Sequence, residues 1–150
     1  MLSLKRTNSD HPHFQALIID LDKDLWQRYP DVQEDYDVLD KVKGIDTVVV
    51  AYADEEPVGC ACFRKFDADT VEVKRMFVYP QHRGQGIAYK VLNELEMWAK
   101  ESGYTRAVLE TGIRQPEAIA LYRKAGFNLM EKYAPYEGME NSVCMQKPLL

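Results

Sequence analysis

The apolar residues of this chain recur at a period of two in some stretches and three to four in others, and each change of period marks the edge of an element. Residues 2–6 alternate apolar and polar and predict a first strand. His11-Pro-His13 reads as a turn rather than a metal pair, leading into a helix over about residues 14–25. That helix carries Phe14, Leu17, Ile18, Leu21 and Leu25 on one side and leaves Asp20, Asp22 and Asp24 as a solvated face. Residues 46–52, Asp-Thr-Val-Val-Val-Ala-Tyr, are β-branched and continuous, as in a buried strand. Asp54-Glu-Glu-Pro57 signals a turn, and residues 58–66 supply the hairpin partner. After Asp67-Ala-Asp69 a third strand runs from Thr70 to Tyr79 and ends at Pro80, which has no N–H for a ladder. The three strands form an antiparallel meander.

Within the third strand the alternation slips: Val71 and Val73 are odd, Met76 and Val78 are even, with Phe77 between them. A bulge near Arg75 or Met76 accounts for the slip, and so does burial on both faces. Next comes Gln81-His-Arg-Gly-Gln-Gly86, where two glycines permit a tight turn and close approach of a ligand to the backbone. A long helix follows with Ile87, Val91, Leu95 and Trp98 spaced three and four apart, and Gly103 stands as its C-terminal cap. Unpaired N–H groups at that helix start, with Arg83 beside them, suit a phosphate-bearing ligand. Residues 106–111 read as a strand, parallel to the previous one because a helix connects them. A second helix over residues 115–125 has Pro116 in its first turn and stops at Gly126. Residues 127–131 and 142–147 read as the last two strands, with a loop at residues 134–138. No repeat, linker or low-complexity tract divides the chain, so residues 1–150 are expected to be a single domain.

Composition changes this picture little. With 46% hydrophobic and 29% charged residues the chain is ordinary globular protein. A formal net charge of −5 argues against general nucleic-acid binding and suits a cationic acceptor. No apolar run approaches the roughly 18 residues of a membrane span, and the N-terminus lacks a signal-peptide core, so the expected location is the cytoplasm. Cys60, Cys62 and Cys144 make an odd set; the first two share a sheet face, have no fourth zinc ligand at local spacing, and read as small core residues. No metal is expected. The acidic and aromatic stretch at residues 29–37 has two readings that stay open: a loop leading into a short helix, or the rim of a site that attracts an amine. The wider Asp31 to Asp40 segment could also serve as a partner-binding surface.

Residues 78–87, Val-Tyr-Pro-Gln-His-Arg-Gly-Gln-Gly-Ile, resemble the acetyl-CoA pyrophosphate loop of the GNAT N-acetyltransferases, Q/R-x-x-G-x-G/A. A second element, residues 118–127 (Ala-Ile-Ala-Leu-Tyr-Arg-Lys-Ala-Gly-Phe), resembles the A-x-x-LY-x-x-x-GF element of the same family, at the family's distance. The resemblance spans about Val48 to Leu149 and points to a small, bacterial, single-domain branch. It implies an α/β (α+β) GNAT fold: a central mixed, mostly antiparallel twisted sheet of six to seven strands, a parallel pair splayed at its centre, and about four flanking helices. It also implies the bulge, with backbone N–H groups left for a thioester carbonyl. Domains of this kind commonly form homodimers.

The implied activity is transfer of acetyl from acetyl-CoA to a primary amine of a small molecule or a peptide N-terminus, by direct attack in a ternary complex. A non-catalytic CoA-binding or regulatory module on the same fold is the alternative. An amine with a lysine-like pKa is neutral in only about one molecule in 2,500 at pH 7, a scarcity of roughly 4.6 kcal/mol that makes a base or water relay worthwhile. The resemblance makes Tyr122 the acid for the leaving thiolate, and Glu72 the first candidate base, with Glu110 as rival. Otherwise Tyr122 is a packing tyrosine and Glu72 a surface strand carboxylate. The carrier would be held at Arg83, Gly84, Gln85, Gly86, Ile87 and Ala88, with Phe77 and Val78 at the carbonyl and Tyr122 at the sulfur. Many relatives have an asparagine where this chain has Gln115, so Gln115 is the candidate there. Tyr133 and Tyr136 either line the acceptor pocket or only pack.

Overall fold

The computed structural model describes residues 1–28 and 42–150. The readings made for residues 29–37 and for the segment up to Asp40 therefore lie outside the described residues. Seven strands share one sheet in the order β1-β2-β3-β4-β5-β7-β6. They are β1 (Leu2–Thr7), β2 (Val48–Ala53), β3 (Glu56–Lys65), β4 (Thr70–Val78), β5 (Arg106–Gly112), β6 (Asn128–Met130) and β7 (Ser142–Pro148). The helices are α1 (Pro12–Arg28), α2 (Ile87–Glu101) and α3 (Pro116–Lys124). Three helices among the described residues compare with about four expected, and the short helix foreseen after Tyr29 falls in the segment not described. The chain divides into two compact units, Met1–Phe63 with Arg75–Leu95, and Arg64–Lys74 with Glu96–Leu150.

In the first unit, the apolar side of α1 builds the core as its spacing predicts. Phe14, Leu17, Ile18 and Leu21 pack with Val48 and Val50 of β2, Cys60 and Cys62 of β3, and Phe77 of β4. Full burial of each large side chain stabilises the fold by about 1.5–3 kcal/mol. Cys60 and Cys62 sit in that core with no exposure, so both thiols share the inner face as alternation requires. The β2–β3 hairpin turns through Asp54 and Glu55, whose φ values of 49° and 74° are the positive pair of a type I′ turn. No glycine advertised it.

The slip in β4 has both of the causes foreseen for it. Thr70, Val71, Glu72 and Val73 are all buried, so this part of the strand has no solvent face. Arg75 then takes φ 58°, a left-handed residue inside a strand, at the place where a bulge was expected. Such a residue costs about 1–2 kcal/mol and needs close support from its surroundings. Part of that support is visible: the Cys60 thiol lies 3.5 Å from the Arg75 carbonyl. Gly59 supplies more, because a Cβ there would stand 3.0 Å from the Phe77 carbonyl oxygen and 3.1 Å from Val78 Cγ2. Only glycine lets β3 approach the bulged strand so closely.

In the second unit, β4 and β5 run parallel from Thr70↔Arg106 to Val73↔Leu109. β5 goes on to Gly112 with β7 antiparallel to it over its whole length. The paired stretch of β4 thus ends two residues before the bulge. β7 lies between β5 and β6, and β6 is a three-residue edge. Register sets the chemistry of one face: Glu72 lies beside Val108, and Glu110 beside Cys144. Because Val108 and Glu110 are two apart, both carboxylates leave the sheet on the same side.

Candidate active site

The glycine loop belongs to the first unit. After a single 3₁₀ turn at Pro80–His82 the chain passes through Gly84 and Gly86, each at φ 79°. A Cβ at either position would meet nothing within 4 Å, so backbone conformation rather than crowding demands glycine here. Helix α2 starts at once, with Lys90 N–H donating to the Gly86 carbonyl at 3.1 Å. Its first-turn N–H groups, at Ile87 and Ala88 among them, have no acceptor within the helix and carry the positive end of its dipole. Ile87 is buried and anchors the helix start, while Arg83, Gly84, Gln85 and Gly86 are exposed. Arg83 is tethered: its Nε donates to the Val78 carbonyl at 2.8 Å and its guanidinium lies 5.8 Å from the Phe77 ring centre. The rest of its fork stays available to an anion.

Just before the loop, the Tyr79 hydroxyl donates to Asp20 Oδ2 of α1 at 2.6 Å. Burial first, then this bond and the Asp20 charge, push the Tyr79 pKa up to about 12. The Asp20 side chain stays 40% exposed, so it belongs to the solvated face and also reaches Tyr79. A partner 59 residues away left no local trace in the sequence.

The titratable groups gather in the second unit. Glu72 is only 2% exposed, which overturns its reading as a surface carboxylate. Its Oε2 accepts from the Tyr133 hydroxyl at 2.8 Å, and its Oε1 accepts from Arg64 Nε at 3.0 Å with Lys74 Nζ at 3.8 Å. A carboxylate so deeply buried requires such partners, since an uncompensated buried charge costs several kcal/mol. Glu110 accepts from Ser142 Oγ at 2.8 Å. Burial raises its carboxyl above the usual range and the Glu72 charge adds to this, while Ser142 and Lys74 oppose it.

Tyr122, on α3, is buried with its ring 5.8 Å from that of Phe127. Burial, then the Glu110 charge, push its phenol well above its ordinary value, so it keeps its proton throughout the neutral range. Tyr133 and Tyr136 pack edge to face at 5.5 Å, and Phe66 meets Tyr133 at 4.9 Å. Burial raises both phenols, followed by Glu72 for Tyr133 and by Glu110 for Tyr136. Gln115, the residue before α3, turns its side-chain oxygen back to accept from Gly112 N–H at 3.2 Å. That leaves its amide N–H₂ as the end able to reach a ligand.

Of the residues singled out from sequence, Glu72, Glu110, Gln115, Tyr122, Tyr133 and Tyr136 thus belong to the second unit, and Phe77, Val78 and Arg83 to Ala88 belong to the first. Arg64, Lys74 and Ser142 were missed. Lys74 had a signal, standing two residues from Glu72 on one strand, whereas Arg64 and Ser142 join only through the fold.

Glu110 makes a direct prediction about pH. Because its folded-state pKa is raised, ionising it opposes folding. The penalty is complete above the folded-state pKa and disappears as pH falls below the unfolded value of about 4.3. Glu110→Gln is expected to melt above the wild type at pH 8 and to converge with it near pH 4, as read by circular dichroism.

An acyl carrier ending in phosphates needs a cradle of N–H groups, and a departing thiolate needs a proton donor. The first unit offers N–H groups at the start of α2 and the second holds a protonated phenol at Tyr122, each compatible with acyl transfer by this chain. Its family is more definite: residues 15–127 match the Acetyltransferase (GNAT) family, and the chain belongs to it. It is an acetyltransferase acting on an amine. The IAA acetyltransferase of Azospirillum brasilense is 36% identical over 135 residues, covering 89% of this chain and 88% of that protein. A putative acyl-CoA N-acyltransferase from Klebsiella pneumoniae superposes with a TM-score of 0.83 at 32% identity, over 100% of this chain and 99% of that one. The PaiA N-acetyltransferase of Thermoplasma acidophilum, solved with coenzyme A, shares the fold with a TM-score of 0.75 at 16% identity, over 99% of both chains. No helix among the described residues is long and apolar enough to cross a membrane.

Proposed function

We propose that this chain takes acetyl-CoA as its donor and N-acetylates a primary amine of a small molecule or a peptide N-terminus, by direct attack in a ternary complex. The observation that carries the donor is the loop at Gly84 and Gly86, left-handed at both glycines and opening directly into α2. In this reading the diphosphate takes the N–H groups from Gly84 to Ala88 and the guanidinium of Arg83, with Gln85 alongside. The N–H groups of Phe77 and Val78, beyond the bulge, polarise the thioester carbonyl as negative charge grows on it. Gln115 offers its amide to the carrier. Tyr122 supplies the proton to the departing sulfur, and Glu72 is the final acceptor of the amine proton. The raised carboxyl of Glu110 favours a second reading in which it is the base instead, since a carboxyl tuned upward is a stronger base near neutrality.

Direct attack is favoured over a covalent intermediate because a thiol nucleophile must ionise. Burial pushes the Cys60 thiol well above its ordinary value, with the neighbouring Cys62 adding to it, and burial raises Cys144 too. Three buried free cysteines also fit a reducing cytoplasm. A thiol-release assay with acetyl-CoA against polyamines, amino acids, peptides and aminoglycosides tests the reading. Turnover with at least one class, and a product heavier by one acetyl group, is the expected result. A chain that binds CoA and acetylates none of them is the non-catalytic module instead.

A further inference from the structure

Glu72 has no open approach. It is 2% exposed, Tyr133 occupies one carboxylate oxygen and Arg64 the other. Burial closes that approach, since an incoming amine would have to open the packing around the carboxylate to reach it. Tyr133 is different: it is half-buried, lies in the loop after β6, and is gripped on two sides by the rings of Phe66 and Tyr136. The loop holds itself in place, with Tyr136 N–H donating to the Tyr133 carbonyl at 2.7 Å and Lys132 Nζ donating to the Met139 carbonyl at 2.7 Å. A phenol has one proton and two lone pairs. Tyr133 gives its proton to Glu72, so toward any other partner its oxygen can only accept, and an amine N–H is the donor it would accept from.

We infer that Tyr133 is the group that meets the acceptor amine and that it relays the amine's proton to Glu72. The inference rests on the reading of Glu72 as final proton acceptor given above. The nitrogen lone pair forms the C–N bond to the acetyl carbon, and the C–S bond breaks with its electron pair left on sulfur. The N–H proton moves to the Tyr133 oxygen as the Tyr133 O–H proton moves to Glu72 Oε2, and sulfur takes the Tyr122 proton. The proton leaves Glu72 through Tyr133 to solvent and solvent reprotonates Tyr122, so that acetyl-CoA and amine yield amide and CoA thiol. Since burial and the Glu72 charge hold the Tyr133 phenol well above its ordinary value, the two transfers through it are concerted and no free phenolate forms. The relay also accounts for Arg64 and Lys74, which keep the charge of Glu72 compensated and its oxygen directed at Tyr133.

The test compares wild type, Tyr133→Phe, Glu72→Gln and the double variant, with the best amine found in the panel above. If the wild type acetylates no amine, the functional reading has failed; the relay is judged only on a working enzyme. Tyr133→Phe is expected to lower kcat about a hundredfold with CoA affinity unchanged. Glu72→Gln should lose a similar factor, and the double variant should lose no more than the worse single one. A kcat for Tyr133→Phe within threefold of wild type, or losses that multiply in the double variant, overturns the relay. Should a variant not fold, the wild-type crystal with CoA and the same amine decides. An amine nitrogen within about 3.2 Å of the Tyr133 oxygen supports the relay, and one seated on Glu110 or elsewhere overturns it.

Discussion

Tyr122→Phe is expected to lower kcat by about a hundredfold or more while CoA affinity stays within about twofold, the size of effect a lost general acid produces. The substitution removes one oxygen and keeps the ring that packs on Phe127, so the buried position stays filled and the melting temperature should hold. What disappears is a proton in the right state. Burial and the Glu110 charge keep this phenol protonated far above neutrality, which is what a donor to a departing thiolate requires. The same shift sets the pH profile. Wild-type kcat/KM should climb with pH as the amine loses its proton, with no falling limb from Tyr122 below about pH 10, the ordinary phenol value. Stopped-flow thiol release for chemistry and calorimetry for CoA binding separate the two effects. A packing tyrosine with no part in the reaction would leave kcat within threefold.

Gly86→Ala is expected to weaken CoA binding about tenfold, with Gly86→Asn weakened less. The glycine sits at φ 79° with open space where a Cβ would go, so no neighbour forces the conformation. An alanine there costs about 1–2 kcal/mol in the left-handed region. The free loop can relax away from that strain, but a ligand that needs the N–H groups of residues 84–88 must restore it. The penalty then appears in the dissociation constant, where 1.4 kcal/mol is a factor of ten. Asparagine tolerates left-handed backbone better than alanine, so the order of the two variants identifies conformation as the cause. Equal weakening would point to the added side chain obstructing the ligand, and unchanged affinity would remove the loop from the CoA site. Titration calorimetry with CoA reads all three.

Much of the fold was legible because its signals are local. The strand, glycine loop and helix between Thr70 and Glu101 announce themselves through period, proline and paired glycines within some thirty residues. α3 shows its start at Pro116 and its core face through Tyr122 in the same way. The burial of Glu72 was not legible. Placing a carboxylate at a polar position of an alternating strand assumes that one face meets water, and residues 70–73 have no such face. Nor does spacing tell that β7 enters the sheet between β5 and β6, because antiparallel strands joined by a loop carry no mark of which neighbour they will take.

Residue pattern by itself therefore determined the family, the paired-glycine loop before α2, the slip within β4 and the place of Tyr122 on α3. Each depends on neighbours in the chain, where backbone freedom and side-chain period act directly. Tertiary structure alone decided the partners of the charges: Asp20 on Tyr79, Glu110 on Ser142, and Glu72 between Arg64 and Tyr133. The last of these pairs lies 61 residues apart, and only sheet register and loop packing bring its members within a hydrogen bond. A buried charge must find such a partner, but which partner is settled by the path of the backbone and not by the side chain that needs it.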